Sequence, residues 1–173
     1  MRITLDISLT LLALCGFSFL AGFIDAVAGG GGLIQVPALF VLMPGVPPAA
    51  LLGTNKFSSI WGTLSATIQY LRKGPFEWRA TLPTCITALA FGFIGALTVA
   101  HSDPSVLRPL MLVMLLAALV YTLWKKDFGK LHAPKLNHRQ QLWVGLATGA
   151  LIGFYDGFFG PGTGSFLIFA FVG

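Results

Sequence analysis

The sequence predicts an all-α, polytopic transmembrane bundle, and three observations carry that prediction. The 173-residue chain is 55% apolar and 10% charged with 15 phenylalanines, at a mean hydropathy of +0.82. Such a composition cannot present an ordinary water-facing surface. Its apolar residues fall into runs near twenty residues, long enough to cross a bilayer as helices. One pattern, an acid followed by a glycine-rich break, occurs twice inside these runs: Asp25 precedes Gly29, Gly30, Gly31 and Gly32, and Asp156 precedes Gly160, Gly162 and Gly164. Backbone that leaves the helix at membrane depth is tolerated only where protein buries it or where it lines a cavity, so two breaks mark a site.

Residues 7–43 read as one broken helix. The run 7–28 is long enough to span, whereas 33–43 reaches about halfway at about 1.5 Å per residue. That second run is therefore expected to be a half-helix starting at the glycine break, ended by Pro44 and Gly45, with Pro47 and Pro48 at the mouth of the next helix. Spans follow at 48–71, 80–100 and 106–124, closing a first repeat unit over 1–124. A basic loop, 125–141, leads to a second unit over 142–173, with apolar runs at 142–159 and 164–173. In constant register, Gly22 aligns with Gly153, Phe23 with Phe154, Asp25 with Asp156, Gly29 with Gly160 and Gly31 with Gly162. The match continues to Phe171 and Val172, so the second unit is expected to be truncated inside its own half-helix. Arg2, the leucine-rich run and Ala26-Val27-Ala28 have the outline of a cleaved signal, but Asp6, Asp25 and the recurrence at Asp156 assign the segment to the mature protein.

The formal net charge is +5, yet the basic residues lie between apolar runs without the motifs or aromatic interleaving of a nucleic-acid module, so no nucleic-acid partner is expected. The charge sets orientation instead. Loop 72–79 carries Arg72, Lys73 and Arg79, and loop 125–141 carries Lys125, Lys126, Lys130, Lys135 and Arg139, while 44–48 and 101–105 carry no Lys or Arg. The basic loops are therefore expected on the cytoplasmic face. If 7–43 is a re-entrant hairpin, the two units have inverted topology, the recurrent transporter solution; if it crosses, they run parallel. Cys15 and Cys85 lie in apolar segments without metal-ligand spacing, and no cofactor or ATP-binding motif is present. His101, His132 and His138 lie in or beside loops and read as solvated.

Gly145, Gly149, Gly153 and Gly157 form a four-residue ladder on one helix face, aligned with Leu14, Ser18, Gly22 and Ala26, and Ala88, Gly92 and Ala96 make a shorter stripe. Small residues at this spacing read as helix–helix seams.

Taken together, residues 22–34, Pro37-Ala38-Leu39, Gly53-Thr54-Asn55-Lys56 and 153–166 resemble the sulfite exporter TauE/SafE family, and within it the branch of inner-membrane transporters of unassigned substrate. The resemblance implies a multi-pass carrier of the bacterial plasma (inner) membrane built from two related halves, with members linked to export of sulfite, sulfoacetate or other organosulfur anions. Members also carry the rest of a second half, which this chain lacks.

The residues themselves support an anion site. A half-helix beginning at Leu33 or near Ser165 directs unsatisfied N–H groups and a positive dipole end toward the break. Gly29, Gly30, Gly31 and Gly32, and Gly162, Thr163, Gly164 and Ser165, are thus candidate substrate contacts; alternatively the glycines only permit tight helix crossing. An acid at the centre of a membrane helix costs roughly 2.5–3.5 kcal/mol on insertion scales. Asp25 and Asp156 are accordingly either proton carriers coupled to substrate movement or caps on the broken backbone. Lys56, about two turns beyond Pro48, is a substrate-anion ligand, a partner of Asp25, or a snorkelling residue. Asn55, Ser58, Gly62, Ser65 and Gln69 give its helix one polar or small face, and Thr54, Asn55 and Ser59 are further candidate contacts.

The expected function is a secondary carrier moving a small anion, plausibly sulfur-containing, outward, with the bilayer and the anion as partners, no cofactor, and homo-oligomerisation left open. The alternatives are a passive anion channel and an intramembrane aspartyl protease. Two carboxylates sharing a proton would serve the latter, but its Gly-x-Gly-Asp is absent, so no enzyme is expected.

Overall fold

The computed structural model describes residues 2–28, 30–73, 78–124 and 138–164. Within them the chain forms six helices: α1 (Arg2–Ala28), α2 (Gly32–Leu42), α3 (Pro48–Lys73), α4 (Trp78–Ala100), α5 (Pro104–Trp124) and α6 (His138–Phe158). No strand occurs among the described residues. The long runs predicted from hydropathy recur as helices, extended at the ends by polar residues such as Arg139, Gln140 and Gln141 that an apolar window leaves out. The short run 33–43 corresponds to α2, a helix 11 residues long, or about 16 Å at 1.5 Å per residue. Lys125, Lys126, Lys130 and Lys135, Gly29, Ser165, and Phe171 and Val172 lie outside the described residues, so the orientation they were expected to give the chain is not part of this description.

Prolines set two of the helix starts. Pro48 and Pro104 occupy first positions, where the missing N–H costs nothing and the fixed φ suits a helix. Asp103 caps α5: its Oδ1 accepts bonds from the Ser105 amide and hydroxyl, both at 2.8 Å. The amide bond first, and the hydroxyl bond second, hold the fully exposed Asp103 carboxyl below the ordinary aspartate value. A carboxyl depressed in the folded state stabilises above its unfolded pKa of about 3.9 and loses that contribution as pH falls through the folded value. Asp103→Ala is therefore expected to speed amide exchange at Ser105 near neutral pH and to make no difference in strong acid; equal exchange in both proteins at neutral pH would remove the cap from this account. At the same end of the molecule, the Arg108 guanidinium donates to the Pro44 carbonyl and ties the turn after α2 to α5.

The core forms where α2 to α5 converge. Val36, Leu52, Val99, Leu107 and Met111 pack around Phe159, which is 1% exposed. Elsewhere large apolar side chains point outward, among them Leu12, Phe19, Leu89 and Leu151. Among the described residues, three helices are long and apolar enough to cross a membrane, over Ser8–Ala26, Thr81–Ala100 and Pro104–Tyr121. The outward apolar residues on them suit acyl chains rather than water. α3 and α6 have comparable length, but α3 is interrupted by Thr54, Asn55, Lys56, Ser58 and Ser59 and is exposed throughout 57–72.

The largest interface joins α4 and α6. A β-carbon on Gly149 would lie 2.8 Å from the Thr84 carbonyl oxygen, one on Gly153 2.7 Å from Ala88 Cα, and one on Gly157 2.6 Å from the Gly92 carbonyl carbon. The two stripes predicted separately are each other's partner, with Gly95, where a β-carbon would lie 2.8 Å from the Phe158 amide nitrogen, taking the place expected of Ala96. Close backbone approach of this kind is how membrane helices gain packing where hydrophobic burial drives nothing. The aligned stripe on α1 behaves differently: a β-carbon on Gly22 would meet nothing within 4 Å, and α1 packs instead on α2.

Candidate functional site

The two acids, placed alike by the sequence, have different partners. Asp25 accepts bonds at 2.8 Å from the amides of both Gly30 and Gly31. Those amides sit at the start of α2, where unpaired N–H groups and the dipole favour a negative charge. An internal carboxylate thus occupies the place where the sequence predicts a substrate anion. Asp156 instead pairs with Lys56, Nζ to Oδ1 at 2.6 Å. The lysine's partner is therefore the acid of the second break, where the sequence had offered Asp25.

The difference has a local cause. In the constant register that aligns Asp25 with Asp156, Gly30 aligns with Pro161. Proline has no backbone N–H, so the first of the two donors that hold Asp25 has no counterpart for Asp156. The backbone also diverges: Gly162 has φ of 86°, whereas its counterpart Gly31 is right-handed at φ −51°.

The second break is braced from within and pressed against both the lysine and the first break. The Tyr155 hydroxyl donates to the Pro161 carbonyl at 2.7 Å, and the Thr163 hydroxyl donates to the Gly160 carbonyl at 2.6 Å. Gly160 has φ of 93°, and a β-carbon there would lie 2.5 Å from Lys56 Nζ and 2.7 Å from its Cε. Only glycine serves at this position, because a side chain would be strained by the backbone and would collide with the lysine. A β-carbon on Gly32 would come 3.1 Å from Pro161 Cα, so the start of α2 and the second break are direct neighbours.

The predicted contacts divide accordingly. Lys56, Asp156 and Gly160 meet at one point, and Gly32 meets the same break through Pro161. Asn55 is 5% exposed, and its Oδ1 has no hydrogen-bond partner among the described residues. Gly162 is buried and Thr163 and Gly164 half-buried in the second break. Thr54 and Ser59 lie on exposed surface with their hydroxyls donated to the carbonyls of Ala50 and Lys56, so their protons are spent on their own helix. The remainder of the predicted polar face, Ser58, Gly62, Ser65 and Gln69, is exposed.

The pair itself is open, with side-chain exposures of 33% for Lys56 and 43% for Asp156. Because each carboxylate has its own partner, the two acids do not share a proton as a protease dyad would. A separate groove of about 280 Å³ between α1 and α2 is lined by apolar side chains such as Phe17, Ile34 and Val41. It offers an anion nothing to bind.

Comparison with known proteins adds a family. The model described as "Sulfite exporter TauE/SafE" matches residues 14–173. A "Probable membrane transporter protein ORF9" of Sinorhizobium sp is 40% identical over 168 residues, 96% of this chain and 63% of that protein. A "Probable membrane transporter protein" of Haemophilus influenzae is 40% identical over 169 residues, 97% and 65% of the two chains. The "Probable membrane transporter protein YfcA" of Escherichia coli K12 is 36% identical over 155 residues, 90% and 56%. The chain thus spans less than two thirds of the length of each of these relatives. No solved structure matches.

Proposed function

This chain belongs to the sulfite exporter TauE/SafE family, and from that premise we propose that it acts as a secondary transporter of a small anion, in the class of sulfite and the sulfonates. The observation that carries the proposal is the half-exposed Lys56 ammonium against the second glycine break, which itself adjoins the start of α2, balanced by one carboxylate. A transport site must bind well enough to load and weakly enough to release. A lysine whose counter-ion can be neutralised by a proton meets both demands.

Lys56 is the anion ligand in this proposal, and Asn55, with its buried acceptor, takes the O–H of hydrogen sulfite, a donor that a sulfonate lacks. Gly32 and Gly160 allow the two breaks and the ligand to approach closely. Asp156 carries the proton, while Asp25 holds the start of α2. The contact of Gly32 with Pro161 supports breaks that face each other, hence inverted units. The basic loops 72–79 and 125–141 are assigned to the cytoplasmic side of a bacterial inner membrane.

The test is flux of sulfite and methanesulfonate into proteoliposomes under an imposed pH gradient, with this chain and with a version extended to a complete second half. The expected result is gradient-driven accumulation by at least one of them, reduced about tenfold or more by Lys56→Met, since a bond to a charged group contributes about 1.5–3 kcal/mol. Flux that ignores the pH gradient would indicate a passive channel. Absence of flux from both folded proteins would overturn the proposal.

A further inference from the structure

We propose that Asp156 is an internal stand-in for the transported anion: its carboxylate and an incoming oxyanion compete for the single Lys56 ammonium, so each anion bound there requires one proton taken up by Asp156. This rests on the reading of Lys56 as the anion ligand and adds the rule by which that site is loaded.

The geometry supplies the competition. Lys56 donates to Asp156 Oδ1 across 2.6 Å, and a β-carbon on Gly160 would lie 2.5 Å from the same Nζ, so the second break closes on the ammonium. The pair is still partly open, at 33% and 43% exposure, so an oxyanion that reaches Nζ competes with the carboxylate for the same donor. Charge enforces the same competition. With Asp156 ionised the pair is neutral, and a second anion would sit beside a carboxylate; with Asp156 protonated the ammonium is uncompensated and favours an anion. In the exchange the proton goes to a carboxylate oxygen, the bond from Nζ moves from that oxygen to the ligand, and Lys56 stays charged throughout.

Among the described residues, no other group near the pair is placed to take up this proton. α4, which packs along α6, carries Arg79 and Cys85; Cys85 lies two turns, or about 10 Å, from Gly92, the residue against Gly157. α2 carries no ionisable residue. The ring of Tyr155 is turned to Pro161 through its hydroxyl. On α1, Asp25 is engaged by the amides of Gly30 and Gly31. α3 otherwise brings Tyr70 and Arg72 at its far end, and α5 brings Tyr121 and Arg108, the latter bonded to Pro44. Asp156 is also the acid whose local capping is weakened by Pro161, which leaves its carboxylate dependent on Lys56.

Linkage sets the size of the effect. If one proton accompanies one anion, affinity rises about tenfold for each unit of pH lowered wherever binding takes up that proton, and anion binding promotes protonation by the same factor. The test uses the complete chain in lipid nanodiscs with methanesulfonate as ligand. This ion keeps a single charge across the working range, so any pH dependence belongs to the protein.

Calorimetric titration in buffers of different ionisation enthalpy is expected to give about one proton taken up per anion bound and the tenfold slope. Asp156→Asn is expected to bind without proton uptake and with no slope, and Lys56→Met not to bind. Binding by the unaltered chain with no proton uptake, or a slope that survives in Asp156→Asn, would overturn the exchange rule while leaving the anion site standing. No binding at any pH by the unaltered chain or by Asp156→Asn would overturn the site as well. Should Asp156→Asn fail to fold, the proton count of the unaltered chain decides alone.

Discussion

Leucine in place of Gly157 is expected to separate α6 from α4 and to unfold the C-terminal part of the described fold. A β-carbon there would overlap the Gly92 carbonyl oxygen and lie 2.8 Å from Gly92 Cα. These are backbone atoms of a helix, and they cannot rotate away as a side-chain tip can. Even Gly157→Ala must push the helices apart, at about 1–3 kcal/mol for overpacking of this kind, and leucine exceeds that. The cost reaches the site, because α6 carries Asp156 on the neighbouring residue and any shift of the helix pulls the carboxylate from Lys56. Gly22→Ala is the matched control. Its β-carbon meets nothing within 4 Å, so it is expected to be neutral or to gain up to about 1 kcal/mol of helix propensity. Denaturant midpoints in lipid, read by helical circular dichroism, separate the two; equal midpoints for the substitutions at 157 and 22 would contradict the seam.

The helices were legible in the sequence because one signal, the length of apolar runs, determines both whether a segment crosses and where it stops. α2 was recognisable as a short helix for the same reason: eleven residues between a glycine break and Pro44-Gly45 are too few for a full span. The glycine ladder of α6 was legible as a seam, and its partner followed only from coordinates, since small residues at four-residue spacing fit any similar stripe. The sequence names two acids and one lysine but does not say how they pair. Two acids and one lysine leave two pairings open, and charge alone prefers neither. The distinguishing fact is present in the sequence at Pro161. A local amide five residues away competes well against a lysine on another helix, and Asp25 has that amide at Gly30 whereas Asp156 has a proline in its place. Thr54 and Ser59 have local partners that their types alone do not reveal. Their types and their nearness to Lys56 suit an anion site, but a hydroxyl on an exposed helix face readily donates to its own backbone, as both do here.

Asp25→Ala and Asp25→Asn should part company, and the separation decides what the first acid is for. Both amides that Asp25 accepts belong to buried glycines, Gly30 and Gly31. Alanine leaves two buried donors without partners, at about 1–3 kcal/mol each, and also removes the negative charge from the positive end of α2. Asparagine keeps an acceptor oxygen at the same reach and forfeits only the charge, a smaller loss of about 0.3–1 kcal/mol. A cap therefore predicts a strongly destabilised Ala variant and a nearly intact Asn variant, with the pH response of anion binding unchanged in Asn. A proton carrier predicts the reverse for Asn: a stable protein whose pH response is lost. Because Gly31 is itself packed against α1, its β-carbon position being 2.8 Å from Asp25 Cβ, the cap also fixes where α2 begins. Its neighbour Gly32 touches Pro161, so the loosened start of α2 in the Ala variant should disturb the Lys56–Asp156 pair although neither residue is altered. Thermal midpoints together with methanesulfonate affinity at two pH values test both arms. An Asn variant that folds but binds the anion without pH dependence would transfer the proton from Asp156 to Asp25.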